Sequence, residues 1–360
     1  MKITIIGAGN VGTALAADLS LKGHQVCLFK SSTSMHNDNY DYIKKNKQIT
    51  RTKNGKEEIA DINSVTNNID EAFRAHPQVI IICIQTNYHE DIIKRISCYL
   101  EDGQILLFEP GYLSTAFVLK HIKNKHIITV EAESSPIDCR LTTPGHITEL
   151  FRNVKNPIGV FPKRKTAEVL NILTSLDYRF SALGSVIEAA IHNPNLIVHT
   201  IGAVMSMPRI EYTKGEYWMY KEVFTPAVWN IVESLDNEKM KVLESLNLPQ
   251  IPYVVACKER NFQDPDINPK DAFFDYAYNS SPKGPNVVNS RYITEDVSQG
   301  LCLLESLGQV LKIDTPVCSA LISIASSALG IDFRKNGRTI KTLSPDAIDV
   351  ILGDTPNKDI

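Results

Sequence analysis

Three glycines, Gly7, Gly9 and Gly12, stand between a β-branched run, Lys2-Ile3-Thr4-Ile5-Ile6, and an apolar pattern of helical spacing from Val11 to Leu21. A strand that stops at glycine and turns at once into a helix leaves few architectures open. In Gly7-Ala8-Gly9-Asn10-Val11-Gly12 the first glycine permits the tight turn, the second lets the backbone approach a pyrophosphate, and the third lets helix and strand pack closely. The first N–H groups of the helix and its dipole attract phosphate. His24 to Phe29 is predicted as a second strand parallel to the first, which completes a βαβ unit within thirty residues. A dinucleotide site formed by Gly7, Gly9, Asn10, Val11 and Gly12 is the expectation; a ligand-free glycine turn is the plain alternative.

A site that prefers NAD usually carries Asp or Glu about 20 residues further on, where it binds the ribose 2′-hydroxyl. Here Phe29 is followed by Lys30-Ser31-Ser32. An ammonium and two hydroxyls can pair with a 2′-phosphate that a carboxylate would repel, so NADP is the expected cofactor, with NAD as the second option. Lys30 as a solvated surface lysine is the bland alternative. Gln85-Thr86-Asn87 and Glu109-Pro110-Gly111 follow later strands, at the carboxyl ends where ligands sit in this architecture, so Gln85 and Thr86 join the expected cofactor contacts.

The pattern continues with a small hairpin around Asn54-Gly55. Strands follow at Val79–Ile84, Ile105–Phe108 and Ile127–Val130, with helices over His89–Leu100 and from Thr115. A run apolar on both faces, such as Val79 to Ile84, suits a sheet covered on both sides. Pro157–Phe161, a helix over Thr166–Leu176 and Tyr178–Leu183 complete the expected unit. From Gly184 the texture changes to longer helical patterns, Glu188–Met205, Phe224–Leu246 and Val297–Val310, while Tyr253–Pro285 reads as a long irregular segment over a cleft. The expectation is an α/β + α protein: a Rossmann-type doubly wound sheet over residues 1–183 and an all-helical substrate domain over 184–360.

With 360 residues, two domains are the natural division. A net charge of -3 supplies no extended basic field, and the Lys-rich stretch from Lys44 to Lys56 is interrupted, so nucleic acid is not an expected partner. The seven cysteines have no Cys-x-x-Cys pair or tight Cys/His spacing, which points to reduced, mostly buried thiols and no metal. No run approaches 18 apolar residues and no signal peptide is visible; a cytoplasmic protein without a membrane span is expected.

Hydride chemistry belongs to a nicotinamide, so the protein must supply an acid/base group and hold its substrate. Asn193-Pro194-Asn195-Leu196-Ile197-Val198-His199-Thr200 and Arg291-Tyr292-Ile293-Thr294-Glu295-Asp296 offer such residues. A lone helical histidine is more often packed or on the surface. Together with the glycine turn, Glu131 through Pro136-Ile137-Asp138-Cys139-Arg140, Ile210-Glu211, Thr225-Pro226-Ala227-Val228 running into Leu235-Asp236-Asn237-Glu238, Gly300-Leu301 and a weaker Gly337-Arg338-Thr339, these blocks give a chain that resembles the octopine/nopaline, or opine, dehydrogenase family from residue 3 to about 345.

The resemblance implies a Rossmann domain followed by a helical domain of the 6-phosphogluconate dehydrogenase C-terminal type, and reductive condensation of an amino acid with a 2-oxo acid through an imine. It implies His199 as acid/base, Asp296 as its partner and Arg291 as the grip on the oxo acid carboxylate. The chain departs from the family at Ile137 and Asp138, so the loop Ser134–Arg140 is expected to suit a different substrate. His192 is a rival base. Tyr217, Trp218 and Tyr220 are expected to pack a helix junction, and Glu295 to point away from Asp296 as a first-turn carboxylate favoured by the dipole. Pairing into a homodimer is a further expectation.

Two other readings stay open. A ketopantoate reductase-like or 3-hydroxyacid dehydrogenase-like enzyme would carry a lysine on the first long helix of its second domain, and none lies between Gly184 and Met207. A non-catalytic NADP(H)-sensing protein would need no His/Arg/Asp set.

Overall fold

The computed structural model describes residues 1–262, 264 and 266–355. The chain divides into two compact units, Met1–Val186 and Ile187–Ile360, against the division after 183 read from the sequence.

The first unit is built on an eight-stranded sheet whose spatial order is Phe180–Ala182, Asn156–Phe161, Ile128–Ala132, Ile105–Phe108, Val79–Ile82, Lys2–Ile6, Gln25–Phe29 and Ser64–Thr66. Neighbours run parallel except at Asn156–Phe161, which is antiparallel to Ile128–Ala132. Strands Val79–Ile82 and Ile105–Phe108 are buried at every position, which explains their unbroken apolar sequence. Ile6, Ile82 and Phe108 lie in register on adjacent strands, so the turns that follow them share one edge of the sheet.

The sequence reading missed half of a second sheet. Hairpin Gln48–Lys53/Lys56–Asp61 is as expected, but it continues through a parallel pairing onto His146–Arg152, which pairs antiparallel with Ile137–Thr143. The expected loop at 134–140 is therefore largely strand, and Ile137 and Cys139 alternate inward with Asp138 and Arg140 outward. This sheet lies against the glycine-turn helix, Asn10–Leu21, where buried Asp18 pairs with Arg51, Arg152 Nη2 (2.7 Å) and Lys22 Nζ (3.0 Å). Burial works against the Asp18 charge, but the Arg152 and Lys22 cations outweigh it and hold the carboxyl below its ordinary range.

All assigned elements of the second unit are helical. Three expectations are corrected there. The pattern from Glu188 to Met205 is two helices, Val186–Ile191 and Asn195–Met205, because Pro194 lacks the N–H that a continuous helix needs. The supposedly irregular stretch from Tyr253 contains helices Tyr253–Asn261 and Pro269–Asn279; Asn268 caps the second by accepting from the Lys270 and Asp271 amides, and Pro269 occupies its first turn. Among the described residues of that stretch, 262, 264, 266–268 and 280–285 match the irregular reading. The pattern from Val297 is also not uniform: Asp296–Leu301 form a widened π turn before the α-helix Cys302–Leu311.

Candidate active site

In the first unit the glycine turn has the form its sequence requires. Gly7 has φ +121°, which L side chains rarely adopt, and a Cβ at Gly12 would sit 1.8 Å from the Gly7 carbonyl oxygen. Gly9 is the N-cap of helix Asn10–Leu21 and supplies no side-chain cap, so the leading amides are not satisfied in that way. The His36 imidazole covers Gly9, with Nε2 3.2 Å from where a Cβ would stand. Val11 is half-buried, and the Asn10 side-chain oxygen accepts from the Leu141 amide at 2.8 Å, so its backbone and not its amide group faces the turn's task. These residues fit a dinucleotide pyrophosphate: an uncapped helix end, backbone that a side chain would obstruct, and no acid in the first turn.

Lys30 is 6% exposed, so the solvated-lysine alternative does not hold. Its Nζ donates to the Ser32 carbonyl and lies 5.8 Å from the centre of the Tyr40 ring. Ser31 is half-buried, Ser32 is exposed, and Arg95 Nη1 donates to the Ser31 carbonyl at 3.1 Å. Arg95 was not anticipated. Gln85 precedes the short turn Thr86–Tyr88, and Thr86 is buried. His89, also unanticipated, ties two of the strand-end loops together through ring contacts to the Ser114 hydroxyl at 2.7 Å and the Ile84 carbonyl at 3.1 Å. Glu131 braces the neighbouring turn by accepting from the Leu113 and Thr115 amides, both at 2.7 Å.

Glu109 stands apart. Both carboxyl oxygens are buried without a hydrogen-bond partner among the described residues, and burial pushes the group well above the usual carboxylate range.

In the second unit His199 and Asp296 meet across 97 residues of sequence, with His199 Nδ1 donating to Asp296 Oδ2 at 2.8 Å. That bond places the ring proton on Nδ1 and leaves Nε2 as the acceptor of the neutral imidazole. Tyr292 lies flat on the same ring, 3.7 Å between centres and 4° between planes. Spacing explains the pair: Tyr292 and Asp296 are four residues apart, one turn along the helical path, and so contact one partner. Arg291 belongs to the same turn, half exposed, with Nη2 2.9 Å from Glu295 Oε2. Glu295 is thus not a carboxylate directed away from the constellation; it is buried and pairs with Arg291 at i,i+4.

His192 is 4% exposed, and burial followed by the Lys239 charge lowers it to about 3, so it is held neutral. Tyr217 is buried and shares a 3.0 Å hydrogen bond with Ser206, and Tyr220 packs among Phe224, Phe273 and Tyr276. Among the described residues no cluster suited to a metal ion is present, and no single helix is long and apolar enough to cross a membrane.

Both parts of the chain have counterparts among known proteins. Residues 182–329 match the family of the NAD/NADP octopine/nopaline dehydrogenase alpha-helical domain, and residues 2–167 match the NAD-dependent glycerol-3-phosphate dehydrogenase N-terminus. The opine dehydrogenase of Arthrobacter sp. (strain 1C) is 27% identical over 344 residues, 94% of each chain. An octopine dehydrogenase structure with NADH and L-arginine shares the fold at a TM-score of 0.79, with 16% identity over 100% of both chains. A yersinopine dehydrogenase with bound NADP+ follows at 0.71, with 14% identity over 98% of this chain and 97% of that one.

Proposed function

We propose, from the premise that the chain belongs to the opine dehydrogenase family, that it uses NAD(P)H to join the amine of an amino acid to the carbonyl carbon of a 2-oxo acid, with His199 as acid/base. The observation that carries the role is the 2.8 Å bond from His199 Nδ1 to Asp296. It fixes the tautomer and supports a positive charge on the ring, so Nε2 can take a proton from the substrate ammonium, freeing the neutral amine to add to the carbonyl carbon, and return it to the departing hydroxyl, which leaves as water as the imine forms. Bound NAD(P)H supplies the hydride that reduces the imine to a secondary amine. Arg291 offers a planar, two-point grip for the oxo acid carboxylate, and Glu295 holds that guanidinium in place. Tyr292 limits rotation of the imidazole.

The glycine turn would hold the pyrophosphate, with Gln85 and Thr86 at a neighbouring strand end. NADP is the preferred form in this reading. No carboxylate occupies positions 30 to 32, and Lys30, Arg95 and His36 gather positive or protonatable groups around the Ser31-Ser32 loop. A cytosolic setting suits the seven free cysteines.

The test mixes the protein with NADPH, pyruvate and a panel of amino acids that includes L-arginine, and follows loss of NADPH absorbance. Oxidation that requires both co-substrates is expected, and oxidation with pyruvate alone would instead indicate a hydroxyacid dehydrogenase. His199→Ala should lower kcat by about 10²–10⁴ while NADPH binding is unchanged; near-normal turnover would overturn the role of His199. The same assay with NADH, and with Arg95→Gln, tests the cofactor preference.

A further inference from the structure

The block Gly337-Arg338-Thr339 has no part in the chemistry above, yet it contains a fully buried arginine. A guanidinium that is 1% exposed is costly to bury unless partners satisfy its polar atoms, so where those bonds lead is informative. Arg338 Nε donates to Gln299 Oε1 at 2.8 Å, and Gln299 Nε2 donates to Ser298 Oγ at 2.8 Å. Ser298 Oγ in turn donates to the Thr294 carbonyl at 2.7 Å. The Arg338 amide also donates to the Ser298 carbonyl at 2.8 Å, and a Cβ at Gly337 would lie 2.3 Å from that same oxygen. Every link ends on the widened turn Asp296–Leu301 or on the turn just before it.

A π turn inserts one residue into the helical register and leaves local carbonyls without their usual i,i+4 donors, which is why such turns need outside support. Asp296 is its first residue, so the direction in which its carboxylate points depends on how that turn is held. We propose that Gly337 and Arg338 are positioning residues for the His199–Asp296 pair: they fix the widened turn and thereby aim Asp296 at His199 Nδ1. Gly337 contributes the absence of a side chain, which lets the two backbones touch. Arg338 contributes the start of a side-chain relay that reaches back to Thr294. This inference rests on the acid/base reading of His199, and its test separates the two.

The experiment uses full-length Gly337→Ala and Arg338→Met, each alone and combined with Asp296→Asn, with NADPH, pyruvate and the amino acid that supports the fastest wild-type turnover. Each single variant is expected to lower kcat by about 10–100-fold, with the pyruvate KM and NADPH Kd within about twofold of wild type. In the Asp296→Asn background the same substitutions should cost nothing more, because they act through Asp296. A second readout needs no turnover: in ¹⁵N-histidine NMR, the His199 Nδ1–H tautomer should dominate in wild type and give way to Nε2–H in both variants. If Arg338→Met does not fold, Gly337→Ala alone decides the outcome. The proposal is overturned if the variants change only the thermal midpoint, with kcat and the Nδ1–H signal at wild-type values, or if their cost persists undiminished with Asp296→Asn. An inactive wild type whose Nδ1–H signal still responds to Gly337→Ala would instead remove the acid/base reading and keep the positioning.

Discussion

Arg291 and Glu295 show how much a single spacing decides. Four residues apart on a helical turn, they face each other, and the buried Glu295 carboxylate pairs with the half-exposed guanidinium. Glu295→Gln should therefore raise the KM for the 2-oxo acid more than it lowers kcat, as steady-state kinetics at varied pyruvate would record, because it loosens the guanidinium without touching the imidazole. The i,i+4 interval is present in the sequence, but the adjacent Asp296 offers Arg291 a second carboxylate, and spacing alone does not choose between them. His199 and Asp296 were legible through family likeness, whereas the stacking of Tyr292 depends on three-dimensional approach that no local pattern encodes. Glu109 leads to a different prediction. Its carboxyl is raised in the folded chain above the ordinary 4.5, so above that pH the unfolded chain releases a proton that the folded chain retains. Stability is then lost as pH rises through the window above 4.5. Glu109→Gln should raise the thermal midpoint at neutral pH and leave it unchanged in acid.

At the scale of elements, the βα turn was readable to the residue because its glycines answer to backbone geometry alone. Gly12→Ala would bring a Cβ to 1.8 Å from the Gly7 carbonyl, so the turn must open. NADPH affinity measured by fluorescence titration should fall by at least about tenfold, while far-UV circular dichroism stays close to wild type. Helix ends in the second unit were less legible. Pro194 lies inside a strong apolar period that masks the break it makes, and Asn268-Pro269 carries an N-cap and first-turn signal within a polar stretch of weak periodicity. The strand at Ile137–Thr143 alternates inward and outward as strands do and pairs with the adjacent His146–Arg152, but the other neighbour of that second strand lies in a hairpin nearly a hundred residues earlier, and pairing over that distance leaves no local mark.

For the molecule as a whole, titration sets a direction. His192 is lowered from 6.5 to about 3 in the folded chain, so the unfolded state binds a proton first and stability falls as pH drops from 6.5 toward 3. The depressed carboxyls Asp18 and Glu149, paired with basic side chains, add losses as pH falls below their ordinary values of 3.8 and 4.5. Between pH 6.5 and 4.5 the raised Glu109 carboxyl opposes the loss from His192, so denaturant midpoints should decline chiefly below about 4.5, and His192→Leu should shrink the total loss on acidification if the fold is retained. A cofactor that binds only the native state adds RT ln(1 + [L]/Kd), so NADPH at equal concentration should raise the thermal midpoint more than NADH.

The parallel pairing of Thr50–Lys53 with His146–Glu149 bears on how the chain is made. During synthesis the early hairpin leaves the ribosome long before the strand that must lie beside it, and until then one of its edges stays open. The other edge strand, Lys56–Asp61, carries Lys56, Glu57, Glu58 and Asp61, charges that discourage stray strand addition. Completion of the first unit thus waits on late, long-range closure, and translation speed through the middle of the message becomes a determinant of yield.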